Sequence, residues 1–126
     1  MVEQLVGKKI LKVTGLQEDS AELILELEGG FEITLGTYND LWSGVRIESV
    51  NGVRDLVGST FYSLIEQHGI PEPKGYIYSY DSHTWTSYIL ETSKGRTGIR
   101  WLGESNGFYS ENGYCICELK ENFSKL

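Results

Sequence analysis

Residues 100–113 read RWLGESNGFYSENG and gather a guanidinium, two amides and several aromatic rings around two Asn-Gly pairs. Arg100 can donate paired hydrogen bonds to a phosphate or carboxylate. Trp101 and Tyr109 offer faces for stacking a planar ring, while Ser105 and Asn106 can bond an edge or a ribose. Trp85 and Tyr88 stand on the preceding strand-like run, which a hairpin brings alongside. Together Arg100, Trp101, Ser105, Asn106, Tyr109, Trp85 and Tyr88 suit a nucleotide-like or other planar anionic ligand. Arg46, Arg54 and Arg96 are reserve partners for phosphate. The stretch also reads as plain structure: Asn-Gly suits turns at positive φ, Trp101 suits a core, and Arg100 suits a solvated strand face.

Other chemistries find less material. Asp81, Ser82 and His83 are adjacent, and neighbours on an extended chain point to opposite faces, so they cannot relay a proton among themselves. No Gly-x-Ser-x-Gly elbow is present. Cys115 and Cys117 with His68 and His83 do not make a zinc set, and Cys-x-Cys on a strand reads as two small core residues. Neither GVRDLVG nor GESNG matches a phosphate-loop or dinucleotide pattern. The expectation is a binding protein without metal or cofactor, with an enzyme acting on nucleotides or glycans ranked below it.

The bulk properties narrow the partners. The chain has 126 residues, 18 acidic and 11 basic, for a net charge of −7. That length suits a single domain over residues 1–126, and the charge argues against general binding to nucleic-acid backbone. The opening MVEQLVGKKI lacks an apolar signal core, and no run approaches a membrane span. A reducing, cytoplasmic setting is expected.

The elements that must position these side chains are mainly strands. AELILELE (21–28) and FEITL (31–35) alternate apolar and polar about Gly29-Gly30, which predicts a tight hairpin. Its outward Glu22, Glu26, Glu28 and Glu32 form an acidic face that could imitate phosphates or simply keep the sheet soluble. KKILKVT (8–14) adds a strand. VRIESVNGV (45–53) suits a strand ending at Asn51-Gly52, and RDLVG (54–58) a helical turn. STFYSLIEQHG (59–69) fits either a helix capped by Gly69 or a strand. IPEPKG (70–75) is a loop. YIYSY (76–80), with tyrosines on one face, TWTSYILET (84–92), RTGIRWLG (96–103) and YCICEL (114–119) complete the strands. The fold class is α+β: a predominantly antiparallel sheet of about seven strands with one or two short helices.

These residues also carry a resemblance. LVGKKI, RDLVGS and SHTWTSYILETSKGRTGIRWLGESNGFYSE resemble a family of small bacteriophage and prophage proteins with a domain of unknown function. Its T-W-T-x-Y and I-R-W-x-G-x-S-N-G-x-Y-S-E signature is matched from Thr84 to Tyr88 and from Ile99 to Glu111. Ser87 and Phe108 depart from the family's aromatic and tyrosine. The resemblance implies a phage accessory protein in the host cytoplasm that blunts host defence. It would hold a signalling nucleotide, as a homo-oligomer, or else sit on a host defence protein.

Overall fold

A computed structural model of the chain describes residues 2–36, 43–78 and 82–105, and the backbone of 114–119. Asn106 and Tyr109 lie outside the described residues, as does Tyr80.

Among the described residues, eight strands form two four-stranded antiparallel sheets: β1 (Ile10–Thr14), β2 (Glu22–Leu27), β3 (Phe31–Gly36) and β8 (Tyr114–Leu119) in the order β1-β2-β3-β8, and β4 (Ser43–Gly52), β5 (Phe61–Gln67), β6 (Ser82–Thr92) and β7 (Gly95–Ser105) in the order β4-β7-β6-β5. The expected antiparallel architecture is present, but the expected helices are not found among the described residues. Among the described residues the one helical element is a 3₁₀ turn, Val2–Leu5, so the class is β rather than α+β. None of the described helices is long and apolar enough to cross a membrane.

Period-2 alternation builds both sheets. Leu23, Leu25, Leu27, Ile33 and Leu35 from the first sheet meet Val45, Ile47, Val50, Phe61, Tyr88, Leu90, Ile99 and Trp101 from the second in one buried core. Such face-to-face burial of two half-apolar sheets is the usual solution for strands patterned this way. The sheets also join along one edge. Lys9 bridges Thr60, and backbone bonds link Gly7 to Phe61, Phe61 to Lys8 and Ile10 to Ser59.

The β2–β3 hairpin forms as patterned, with Gly29 and Gly30 at φ +85° and +82°. Leu27 pairs with Phe31, so Glu28 joins the two glycines in the connection. The acidic face is less uniform than its alternation implies. Glu32 is buried and accepts a bond from the Thr34 hydroxyl, while Glu26 lies 3.9 Å from Lys12.

Two irregularities decide what faces where in the second sheet. In β4, Ile47 pairs with Trp101 and Ser49 with Arg100, so Glu48 is an inserted residue. The insertion moves the alternation by one: Ile47 and Val50 both point into the core, and Ser49 and Asn51 follow Arg46 onto the outer face. In β5, Phe61 pairs with Thr92 and Ser63 with Glu91, leaving Tyr62 inserted. Phe61 and Leu64 therefore share the inner face three residues apart. That spacing imitates a helix turn, which is why 59–69 fits both templates in sequence.

Beyond β5, residues 68–78 leave regular structure and run as a strap across the outer face of the second sheet. Tyr76 and Tyr78 belong to this strap rather than to the expected strand.

Candidate functional site

The outer face of the second sheet is assembled by register. Arg96, Gly98, Arg100, Leu102 and Glu104 alternate along β7, opposite Glu91, Ile89, Ser87, Trp85 and His83 on β6. On its other side β7 faces Asn51, Ser49 and Arg46. The strap divides this face into a covered end and an open groove.

At the covered end, side chains hold the strap without backbone ladders. Trp85 donates its indole N–H to the Tyr78 hydroxyl at 2.9 Å, and the Tyr78 ring stacks on His83 at 3.7 Å. Tyr76 meets the edge of Trp85 at 5.3 Å. His83 and the Tyr78 hydroxyl both reach the Glu72 carboxylate, at 3.0 and 3.3 Å. Beneath them Leu102 is fully buried although it faces away from the inter-sheet core.

Arg46 anchors this end electrostatically. It bonds the buried Glu104 carboxylate at 3.1 Å and the Tyr76 hydroxyl at 2.9 Å, with Glu48 3.4 Å away. Burial works against the Arg46 charge, but Glu104, Tyr76 and Glu48 outweigh it and hold the guanidinium above its ordinary pKa. Burial likewise raises the Tyr76 phenol, against the pull of Arg46.

The open groove begins where the strap ends. Its volume is about 440 Å³, and its lining includes Ser49, Asn51, Gln67, Ile70, Ser87, Ile89, Arg96, Gly98 and Arg100. That volume lies within the range of small-molecule sites. Among the described residues the lining contains two arginines and no carboxylate, in a chain of net charge −7. Arg100 lies on the boundary. Its guanidinium stands 4.6 Å from the Trp85 ring centroid, and Nη2 donates to the Pro71 carbonyl at 2.7 Å. Its Nε is buried with no partner, and no carboxylate among the described residues pairs with it. Arg96 is three-quarters exposed and lies 3.4 Å from Glu91.

The residues singled out in sequence therefore divide. Arg100 and Trp85 come together on the outer face, and Arg96 joins Arg100 along the groove. Trp101 is fully buried on the opposite face of the sheet, with its indole N–H unpartnered. Tyr88 turns its ring inward, where its hydroxyl donates to Glu66 at 3.3 Å, although the residue also contributes to the groove lining. Ser105 is buried at the end of β7, between Ser43 and Ser82. Arg54 is engaged with Glu18 and the Val50 carbonyl. Ser49, Asn51, Gln67, Ser87 and Gly98 were not singled out. Each is an ordinary outward strand residue whose significance depends on which strands lie beside it.

A family model described as a domain of unknown function, DUF7448, matches residues 3–115. The chain belongs to the DUF7448 family. The matched span contains both sheets' strands through β7, so the groove and the strap lie wholly within the DUF7448 domain. No curated protein and no solved structure matches the chain.

Proposed function

We propose that this DUF7448 protein binds a small, planar, nucleotide-like anion in the outer groove of its second sheet and holds it without chemical change. One observation carries the reading: among the described residues the groove lining holds two arginines and no carboxylate, in a strongly acidic chain. A net negative protein otherwise repels anions, so a locally cationic concavity is the place where one would be retained. Arg100 supplies donors for phosphate, and the apolar sides of Ile70 and Ile89 supply contact for a flat ring. The amides of Asn51 and Gln67 and the hydroxyls of Ser49 and Ser87 supply edge contacts.

Holding rather than turnover fits this lining. Amides, aliphatic hydroxyls and guanidiniums do not exchange protons readily near neutral pH, so they orient a ligand without acting as general acids or bases. The resemblance to phage and prophage proteins supplies the setting: a cytoplasmic accessory factor that sequesters a signalling nucleotide of the host's defence, working as a homo-oligomer.

Isothermal titration of the protein with cyclic nucleotides and ADP-ribose derivatives tests this. Micromolar or tighter binding is expected, with the ligand recovered intact by mass spectrometry. Arg100→Ala should weaken it roughly 10- to 100-fold, the value of a charge-assisted bond. No binding by any of these compounds would sink the proposal. A stable complex with a host protein that Glu22→Lys and Glu26→Lys weaken, and Arg100→Ala does not, would replace it with protein-directed inhibition.

A further inference from the structure

Resting on the groove reading above, we infer that the ligand is elongated and carries an anionic group at each end, one met by Arg100 and the other by Arg96. The two arginines are four residues apart on the same face of β7, which separates their Cα atoms by roughly 13 Å at the usual strand rise. The Arg100 guanidinium is drawn away from its neighbour, over Trp85, so the charges do not converge on a single point. A lone phosphate cannot engage both without leaving the middle of the groove empty.

That middle is open by construction. Gly98 lies between the arginines, paired with Ile89 on β6 and Asn51 on β4. Its backbone does not require glycine: it is absent from the positive-φ positions, and an added Cβ would meet only Ile89 Cδ1 at 3.7 Å and the Asn51 carbonyl at 3.9 Å. Folding therefore leaves the position free to carry a side chain, and the missing one leaves a flat floor on the outer face. The body of an extended ligand can lie there, flanked by one apolar and one amide side chain.

Both arginines are also available. Among the described residues, Arg100 has a carbonyl and a ring as partners, and Arg96 has the Glu91 carboxylate across an exposed 3.4 Å pair. Exposed pairs of that kind contribute little and exchange easily for another anion. The matching chemistry is a short linear oligonucleotide, or another rod-shaped molecule, with terminal phosphates.

Titration calorimetry with three linear diadenylates distinguishes the possibilities: phosphorylated at both ends, at the 5′ end only, and at neither. Affinity is expected to fall about tenfold with each phosphate removed. In Arg96→Ala, one of those two steps should vanish while the other persists. Equal affinity for the singly and doubly phosphorylated compounds, with binding still abolished by Gly98→Val, overturns the two-ended ligand and leaves the groove standing. If none of the three binds while a cyclic nucleotide or ADP-ribose derivative does, the two-ended ligand falls and the groove stands. If no compound of either set binds, or if Gly98→Val leaves binding unchanged in a protein with native circular dichroism, the groove reading falls and this inference with it.

Discussion

The guanidinium of Arg100 lies 4.6 Å from the centroid of the Trp85 ring while donating to the Pro71 carbonyl at 2.7 Å. One side chain thus connects strand β7, strand β6 and the strap, and it does so at the edge of the groove. Trp85 in turn holds Tyr76 and Tyr78. Trp85→Ala should remove the cation–π contact and the packing beneath the strap, lowering stability by about 2–3 kcal/mol. Urea unfolding measures the loss, and trypsin should then cleave at Lys74 faster than in the parent. A protease pattern unchanged by the substitution would mean the strap is held by something other than Trp85.

Glu104 is 2% exposed and Arg46 about a third exposed. Arg46→Met removes the guanidinium that bonds the buried Glu104 carboxylate, and should cost about 2–3 kcal/mol. This is below the value for a fully buried pair, because water reaches Arg46. Arg46→Met combined with Glu104→Gln should recover part of that loss, which a double-mutant cycle by chemical denaturation reads directly.

Gly52 and Gly98 lie close together on adjacent strands and should respond in opposite ways. Gly52 has φ +95°, and a Cβ there would meet the Arg96 carbonyl. Gly52→Ala should therefore destabilise by about 2 kcal/mol or more, through steric conflict with backbone that cannot yield. Gly98→Ala has no such conflict and should be neutral or slightly stabilising, since alanine reduces the freedom of the unfolded chain. Thermal denaturation of the two variants gives the comparison.

Trp101 carries a buried indole N–H with no partner. Phenylalanine removes that orphaned donor, whose burial costs about 1–3 kcal/mol. Trp101→Phe should thus be far milder than Trp101→Ala, for which about 3–5 kcal/mol is expected from the cavity. Neither change should alter the Arg100 side chain's access to the groove. A selective loss of ligand affinity in a stable Trp101→Phe protein would assign Trp101 a role the core position does not explain.

Burial, helped by the Glu48 carboxylate and opposed by Arg46, leaves Tyr76 with a pKa above its ordinary value. For a group whose folded pKa is raised, the contribution to stability is complete below the unfolded pKa, near ~10 for tyrosine, and is lost as pH rises through the folded value. The strap should therefore hold through neutral and mildly alkaline pH and loosen only above about pH 10. Ultraviolet titration of tyrosinate in parent and Tyr76→Phe checks this: the absorbance lost in the variant should belong to a step above the ordinary tyrosine range.

Much of the scaffold was legible in the sequence. Strict alternation in 21–28 and 31–35, the β-branched and aromatic run of 84–92 and its return over 96–103 give β2, β3, β6 and β7, because a half-buried strand must place every second side chain in the core. The ambiguity of 59–69 arose where a single inserted residue, Tyr62, broke that alternation and produced a helix-like spacing. The apolar sequence Val45, Ile47, Val50 carries the same kind of break at Glu48. The attraction of the 100–109 cluster followed from residue type alone. Trp101 next to Arg100 suggested a stacked, charged site, yet adjacent strand residues face opposite sides, and one is core while the other is groove.

The sequence by itself determined that this chain makes strands, which of their faces are apolar, and where the glycine and proline connections fall, since these depend on neighbours a few residues away. Tertiary structure alone decided which outward faces lie side by side and where the strap crosses them. The groove draws on β4, β5, β6, β7 and the strap, and its lining residues have no local pattern in common. Only the cross-strand register, set by two inserted residues and by burial of the opposite face, brings Ser49, Asn51, Gln67 and Ser87 beside Arg96 and Arg100.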